Sequence, residues 1–163
     1  MNFGATSWSL SEADNTAIGQ VLQRFLFDSK ARCALLVDRS GQLITTTGER
    51  PAFDVTAFAT LAAADFAAND QLARLIGERD FSTLFHQGER ESMLLADVSR
   101  RVILVVLFDN RTTLGMVKLK LRGAVDELGR LFDRMFATGL KKPAGSAPAL
   151  LGDIEDEIDR LFQ

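Results

Sequence analysis

The chain of 163 residues contains one histidine, His86, and one cysteine, Cys33. The two side chains that most often ligate zinc or open a covalent step therefore occur once each. No second histidine, no cysteine and no suitably spaced carboxylate stands near His86 to complete a metal set or a nucleophile–base pair, so it reads as a structural residue. Cys33 runs into Ala34, Leu35, Leu36 and Val37, the setting of a small core side chain rather than a reactive thiol, and a lone cysteine excludes an internal disulfide. The patterns G-x-x-x-x-G-K-[ST], G-x-G-x-x-G and G-x-S-x-G are all missing, which removes the commonest phosphate-cradling and hydrolase signatures. The acidic group Asp153, Glu155, Asp156, Glu157 and Asp159 lacks the glycine and spacing of a calcium loop and reads as a solvated helix face. Arg111, in the loop Asp109-Asn110-Arg111-Thr112-Thr113, has the chemistry of an arginine finger supplied to another protein's active site. A surface arginine that orders its own loop is the plainer reading. No catalytic residue, metal site or cofactor follows from these residues.

Composition excludes further classes. A hydrophobic content of 47% supports a real core, and a net charge of -3 with no basic face argues against a nucleic-acid partner. The longest apolar run, residues 102–108, is far shorter than the ~20 residues of a membrane span. No Lys or Arg precedes Arg24 and no apolar leader core is present, so the expectation is a cytoplasmic protein with no membrane span.

What, then, positions the few candidate residues? Residues 11–27 carry Ile18, Val21, Leu22, Phe25 and Leu26 at helical spacing, with Ser11 and Asp14 placed as a cap. Two short β-prone runs, 33–37 and 43–47, flank Asp38-Arg39-Ser40-Gly41 and predict a hairpin. A second helix is expected over 55–76, capped by Asp54, stapled by Phe53 against Phe58 and stopped at Gly77. Strands follow over 81–86, 92–96 and 102–108; the last is continuously apolar and belongs in the middle of the sheet. Residues 114–135 alternate like a strand at their start, but length and continuity make them a helix. The fold class is α+β, in the order α-β-β-α-β-β-β-α: a five-stranded antiparallel sheet with helices on both faces, plus a C-terminal tail helix. The domains are 9–137, a flexible Pro/Gly/Ser/Ala linker over 138–149, and an amphipathic helix over 150–163.

Two surfaces stand out. On the second helix Thr56, Thr60, Ala63, Ala67, Gln71 and Arg74 form a small-sided stripe, expected to lie opposite the apolar positions Phe58, Leu61, Phe66, Leu72, Leu75 and Ile76. Small side chains at this spacing allow another element close approach, whereas an ordinary solvated face carries Lys and Glu. At the C-terminus Ile154, Ile158, Leu161 and Phe162 share one helical face. So short a helix is marginal alone in water and would persist by docking in a groove, on its own domain or on a partner.

The element order, the hairpin LLVDRSGQLITTTG, the junction LARLIGE followed by FSTLFHQGERES, and above all LVVLFDNRTTLGMVKLKL resemble the Roadblock family of dynein light-chain-like domains. Within it they look like the bacterial gliding-protein (MglB-type) branch. The resemblance covers residues 31–135 and returns at DIEDEIDRLF. It implies a homodimer in which the second helices pair and the third strands continue one sheet across both subunits. It further implies a helical platform for a Ras-like, MglA-like GTPase whose GTP hydrolysis the dimer accelerates by repositioning the GTPase's own groups, in cell polarity or gliding motility, with clustering at a cell pole. Carried over residue by residue, the partner-facing positions are Thr60, Ala64, Ala67, Gln71 and Arg74, and the tail would dock through Ile154, Ile158, Leu161 and Phe162.

The chain departs from that pattern in two places. Relatives tend to have a Gly-Asn pair where this sequence has Ala64-Asp65, and small glycines where it has Asp70-Gln71. Added bulk and negative charge there bear on dimer packing and partner choice. The alternative function is a dimeric adaptor or polarity scaffold that binds a GTPase without activating it.

Overall fold

The structure, a computed structural model, describes residues 9–141 and their side chains through residue 137. The element order is α1 (Glu12–Ser29), β1 (Cys33–Asp38), β2 (Leu43–Gly48), α2 (Val55–Leu75), β3 (Thr83–Gln87), β4 (Ser92–Val98), β5 (Val102–Phe108) and α3 (Leu114–Lys141). All eight expected elements are present, and 114–135 is helical throughout. The helix α3 runs through Lys141, into the first residues of the predicted linker; residues 142–149 and the segment 150–163, with Ile154, Ile158, Leu161 and Phe162, lie outside the described residues. The chain divides into two compact units, Met1–Leu131 and Phe132–Gln163; of the second, the described part is the last ten residues of α3.

The sheet runs β2-β1-β5-β4-β3 with every pairing antiparallel. Its centre is β5, buried at all seven residues, as its unbroken apolar run predicts. Because successive strand residues point to opposite faces, β1 and β5 must be covered on both sides. Cys33, Leu35, Val37, Ile103, Val105 and Leu107 pack with Ala59, Ala62, Ala63 and Phe66 of α2. The opposite face is left to α1, through Ile18, Leu22 and Phe25, and to α3, through Val117, Leu121 and Leu128, all buried. Arg24 of α1 meets Glu127 of α3 at 3.1 Å, which places these helices side by side.

Local chemistry sets the boundaries. Ser11 accepts the Asp14 N–H at 3.1 Å, and Asp54 accepts those of Thr56 and Ala57 at 3.0 and 3.2 Å, so both expected caps close otherwise unpaired helix donors. The Phe53 and Phe58 rings lie 4.7 Å apart as the staple requires. In the β1–β2 turn Asp38 Oδ1 accepts from the Ser40 N–H, the Ser40 hydroxyl and the Gln42 N–H, while Gly41 takes a φ of +97°. A Cβ on Gly41 would stand 3.1 Å from the Thr60 Cα and 3.7 Å from the Ala63 methyl. The hairpin turn therefore rests directly on α2.

That contact corrects the predicted small-sided stripe. Ala63 is buried, and Ala59, Ala62 and Ala73 join it beneath the helix, while Leu61, Leu72, Leu75 and Ile76 are exposed. The small side chains let α2 lie close to the sheet and the hairpin, with Phe66 filling the one deep space. The large aliphatic residues were expected in the core and instead face outward.

Candidate partner-binding surface

Thr60, Ala64, Ala67, Gln71 and Arg74 are all exposed on α2. Their spacing (i, i+4, i+7, i+11, i+14) places them along one side of the helix. The Thr60 hydroxyl donates back to the Thr56 carbonyl at 3.2 Å, so only small groups and the ends of Gln71 and Arg74 project. Beside it, sharing Ala64, runs a second row, Leu61, Ala64, Ala68, Leu72 and Leu75, continued by Ile76, whose large aliphatic members were expected inside. Leu61 is 69% exposed, Leu72 58%, Leu75 82% and Ile76 70%. Isolated exposed leucines are ordinary, but a contiguous aliphatic ridge marks a contact surface. A signal for it was available in the sequence, because α2 carries two apolar rows while a helix on a sheet buries one.

The ridge borders an open sheet edge. The strand β3 is the last in the order and pairs only with β4, so its other side presents unpaired backbone donors and acceptors. Asp65 on α2 binds His86 on β3 at 2.6 Å, tying the helix flank to that edge. His86 is thus a structural linker, as its isolation in the sequence suggests. The two departures from the family pattern also find partners within the chain: Asp65 in His86, and Asp70 in Arg39 at 2.8 Å. Their negative charge is paired within the chain, and of the four positions only Ala64 and Gln71 lie fully on the outer surface.

The loop with Arg111 closes on itself. Asp109 accepts the Arg111 N–H at 3.1 Å and its Nε at 3.0 Å, Glu49 accepts Nη1 at 2.9 Å, and Arg32 joins through Glu49 and Glu91. The Thr113 hydroxyl oxygen accepts the Met116 N–H at 3.2 Å and caps α3. The segment DNRTTLG is therefore a turn followed by a helix cap, and Arg111 is the residue that orders it. Hydrogen bonds from Arg111, then Arg32, hold Glu49 below the usual carboxylate range, and the Arg111 side-chain and backbone bonds do the same for Asp109. Arg111 is raised in turn, first by Asp109 and then by Glu49. Burial pushes the Cys33 thiol up, which suits an inert core residue.

Carboxylates with lowered folded-state values stabilise the fold above the ordinary carboxylate range near pH 4 and lose that contribution as pH falls through the lowered values. The melting temperature is accordingly expected to drop on acidification from about pH 5 to about pH 3, and Glu49→Gln to flatten that drop. Glu49 is exposed and Asp109 half-buried, so the effect is small. Thermal scans of the two proteins over this window check it; identical pH slopes would show that the network does not contribute.

Among the described residues no helix is long and apolar enough to cross a membrane. The Roadblock/LC7 domain family model matches residues 17–108, from α1 to the end of β5. The fold is similar to Myxococcus xanthus MglB, with 44% identity over 73% of this chain and 97% of that one and a TM-score of 0.70. It is also similar to the gliding protein MglB of Thermus thermophilus, with 33% identity over 78% and 97% and a TM-score of 0.73. An MglB solved in a tetrameric arrangement matches with 33% identity over 78% and 96% and a TM-score of 0.74. No curated protein matches the chain.

Proposed function

Because the chain belongs to the Roadblock/LC7 family and is MglB-like over most of its length, we propose that it is a homodimeric regulator of a Ras-like, MglA-like GTPase, acting in bacterial cell polarity or motility by stimulating GTP hydrolysis. The observation that carries this is the outer surface of α2, where an aliphatic ridge ends against the open β3 edge and a small-sided row lies beside it. The two rows suit two tasks. The ridge of Leu61, Leu72 and Leu75 pairs with its copy while β3 extends the sheet. The row Thr60, Ala67, Gln71 and Arg74 then presents a flat platform to the GTPase, and Ile154, Ile158, Leu161 and Phe162 provide a second, tethered contact.

The chain's contribution to hydrolysis is preorganisation. Arg111, the side chain with finger chemistry, is committed to Asp109 and Glu49, which favours repositioning of the GTPase's own groups over insertion of a charge. The test is single-turnover GTP hydrolysis by Ras-like GTPases of the same genome, with and without this protein, together with pull-downs of each GTPase in its GDP and GTP-analogue states. Faster hydrolysis with capture of the GTP form is expected. Capture with an unchanged rate would replace the activator by the scaffold.

A further inference from the structure

The C-terminal end of α2 meets the β1–β2 turn, the loop into β3 and the β4–β5 turn around an open cavity of about 370 Å³. Its wall carries four arginines, at 39, 74, 79 and 100, and three aspartates, at 70, 80 and 97. The aspartates are all engaged. Arg39 is clamped between Asp70, at 2.8 Å, and Asp97, whose other oxygen accepts the Arg100 N–H at 3.1 Å; the Arg100 side chain reaches Asp80 at 3.4 Å. Arg74 and Arg79 have no ion pair among the described residues. The wall therefore keeps a positive surplus, four arginines against three aspartates, in a chain whose net charge is -3.

The floor is rigid. Arg39 lies over the Phe66 ring at 4.9 Å from its centroid and has a buried Nε without a partner. Two uncommitted guanidinium groups repel one another until an anion stands between them, and their planar forks match phosphoryl oxygens. A phosphoryl group, with three oxygens and up to two charges, can accept from both forks at once, which a carboxylate with two oxygens does less completely. We propose that this cavity binds the phosphoryl group of a small molecule between Arg74 and Arg79, with the Ser82 hydroxyl as a further donor. Arg74 also stands in the proposed GTPase-facing row, whereas Arg79 and Ser82 lie beyond the end of α2, and phosphate binding to the chain alone is read independently of any GTPase.

The test is amide-resolved NMR of the full chain, titrated at constant ionic strength with inorganic phosphate, with a nucleoside diphosphate and with chloride. Saturable shifts of Arg74, Arg79 and Ser82 are expected with phosphate at a dissociation constant on the order of 1 mM, and none with chloride. Arg79→Gln, at an exposed position with no ion pair to lose, is expected to weaken binding about tenfold, while Lys120→Gln on α3 leaves it unchanged. Tighter binding of the diphosphate identifies a nucleotide as the source of the group; equal or weaker binding identifies free phosphate. Absence of saturation at about 20 mM phosphate, or unchanged affinity in a folded Arg74→Gln/Arg79→Gln double variant, overturns the proposal.

Discussion

Replacing Leu72 with glutamate is expected to convert a dimer into a folded monomer. Leu72 is 58% exposed in the single chain, between Leu61 and Leu75 on the same ridge, so a carboxylate there remains hydrated and leaves the core intact. In the proposed dimer each subunit buries that position against its copy, and symmetry makes one substitution act twice. Burying an unpaired carboxylate costs several kcal/mol, and about 4 kcal/mol already weakens the dissociation constant roughly a thousandfold. Sedimentation equilibrium supplies the mass and far-ultraviolet circular dichroism the fold. A variant that still sediments as a dimer would move the interface off α2 and withdraw the two-row assignment. Loss of helical signal would instead mean that Leu72 supports the fold itself. Under the proposed function, stimulation of GTP hydrolysis should disappear with the dimer, because the proposed platform needs both copies of α2.

The second large effect concerns the residue that seats α2. Phe66 is fully buried among small side chains, Ala59, Ala62 and Ala63, and strand residues including Leu35 and Val105. It also supports the Arg39 guanidinium. Phe66→Ala should cost about 3–5 kcal/mol, since alanines around it cannot collapse into the space and Arg39 loses its stacking partner beside a donor that is already unpaired. Against a total stability of about 5–15 kcal/mol this is a large share. Phe66→Leu, which keeps most of the volume, should cost under about 2 kcal/mol. Urea unfolding with an unchanged m-value checks both. A loss under about 1 kcal/mol for Phe66→Ala would mean that the hairpin and α2 repack freely, and the close seating of Gly41 on Thr60 and Ala63 would then not be the constraint described above.

Some of this was written in the chain. Val102 to Phe108 had to be central because seven apolar residues in a row leave no face for water. Ser11, Asp54 and Gly41 marked element boundaries through backbone hydrogen bonding and positive φ, which act over a few residues and need no distant partner. His86 and Arg111 were legible as structural because neither had the companions that catalysis requires. Their partners were not legible: Asp65 and Glu49 are distant in sequence and meet them only once strands and helices assemble.

The candidate surface divides in the same way. Thr60, Ala64, Ala67, Gln71 and Arg74 come from the family resemblance and are all exposed, whereas the stripe read from spacing includes Ala63, which is buried. Which neighbouring row would be buried could not be read, because periodicity gives relative directions around a helix and no absolute one. Hydrophobicity alone pointed Leu61, Leu72 and Leu75 inward. The tertiary structure decided otherwise: the sheet and the Gly41 turn accept only alanine-sized groups with a single Phe66, and that steric limit turns the leucines out to the surface where a partner can cover them.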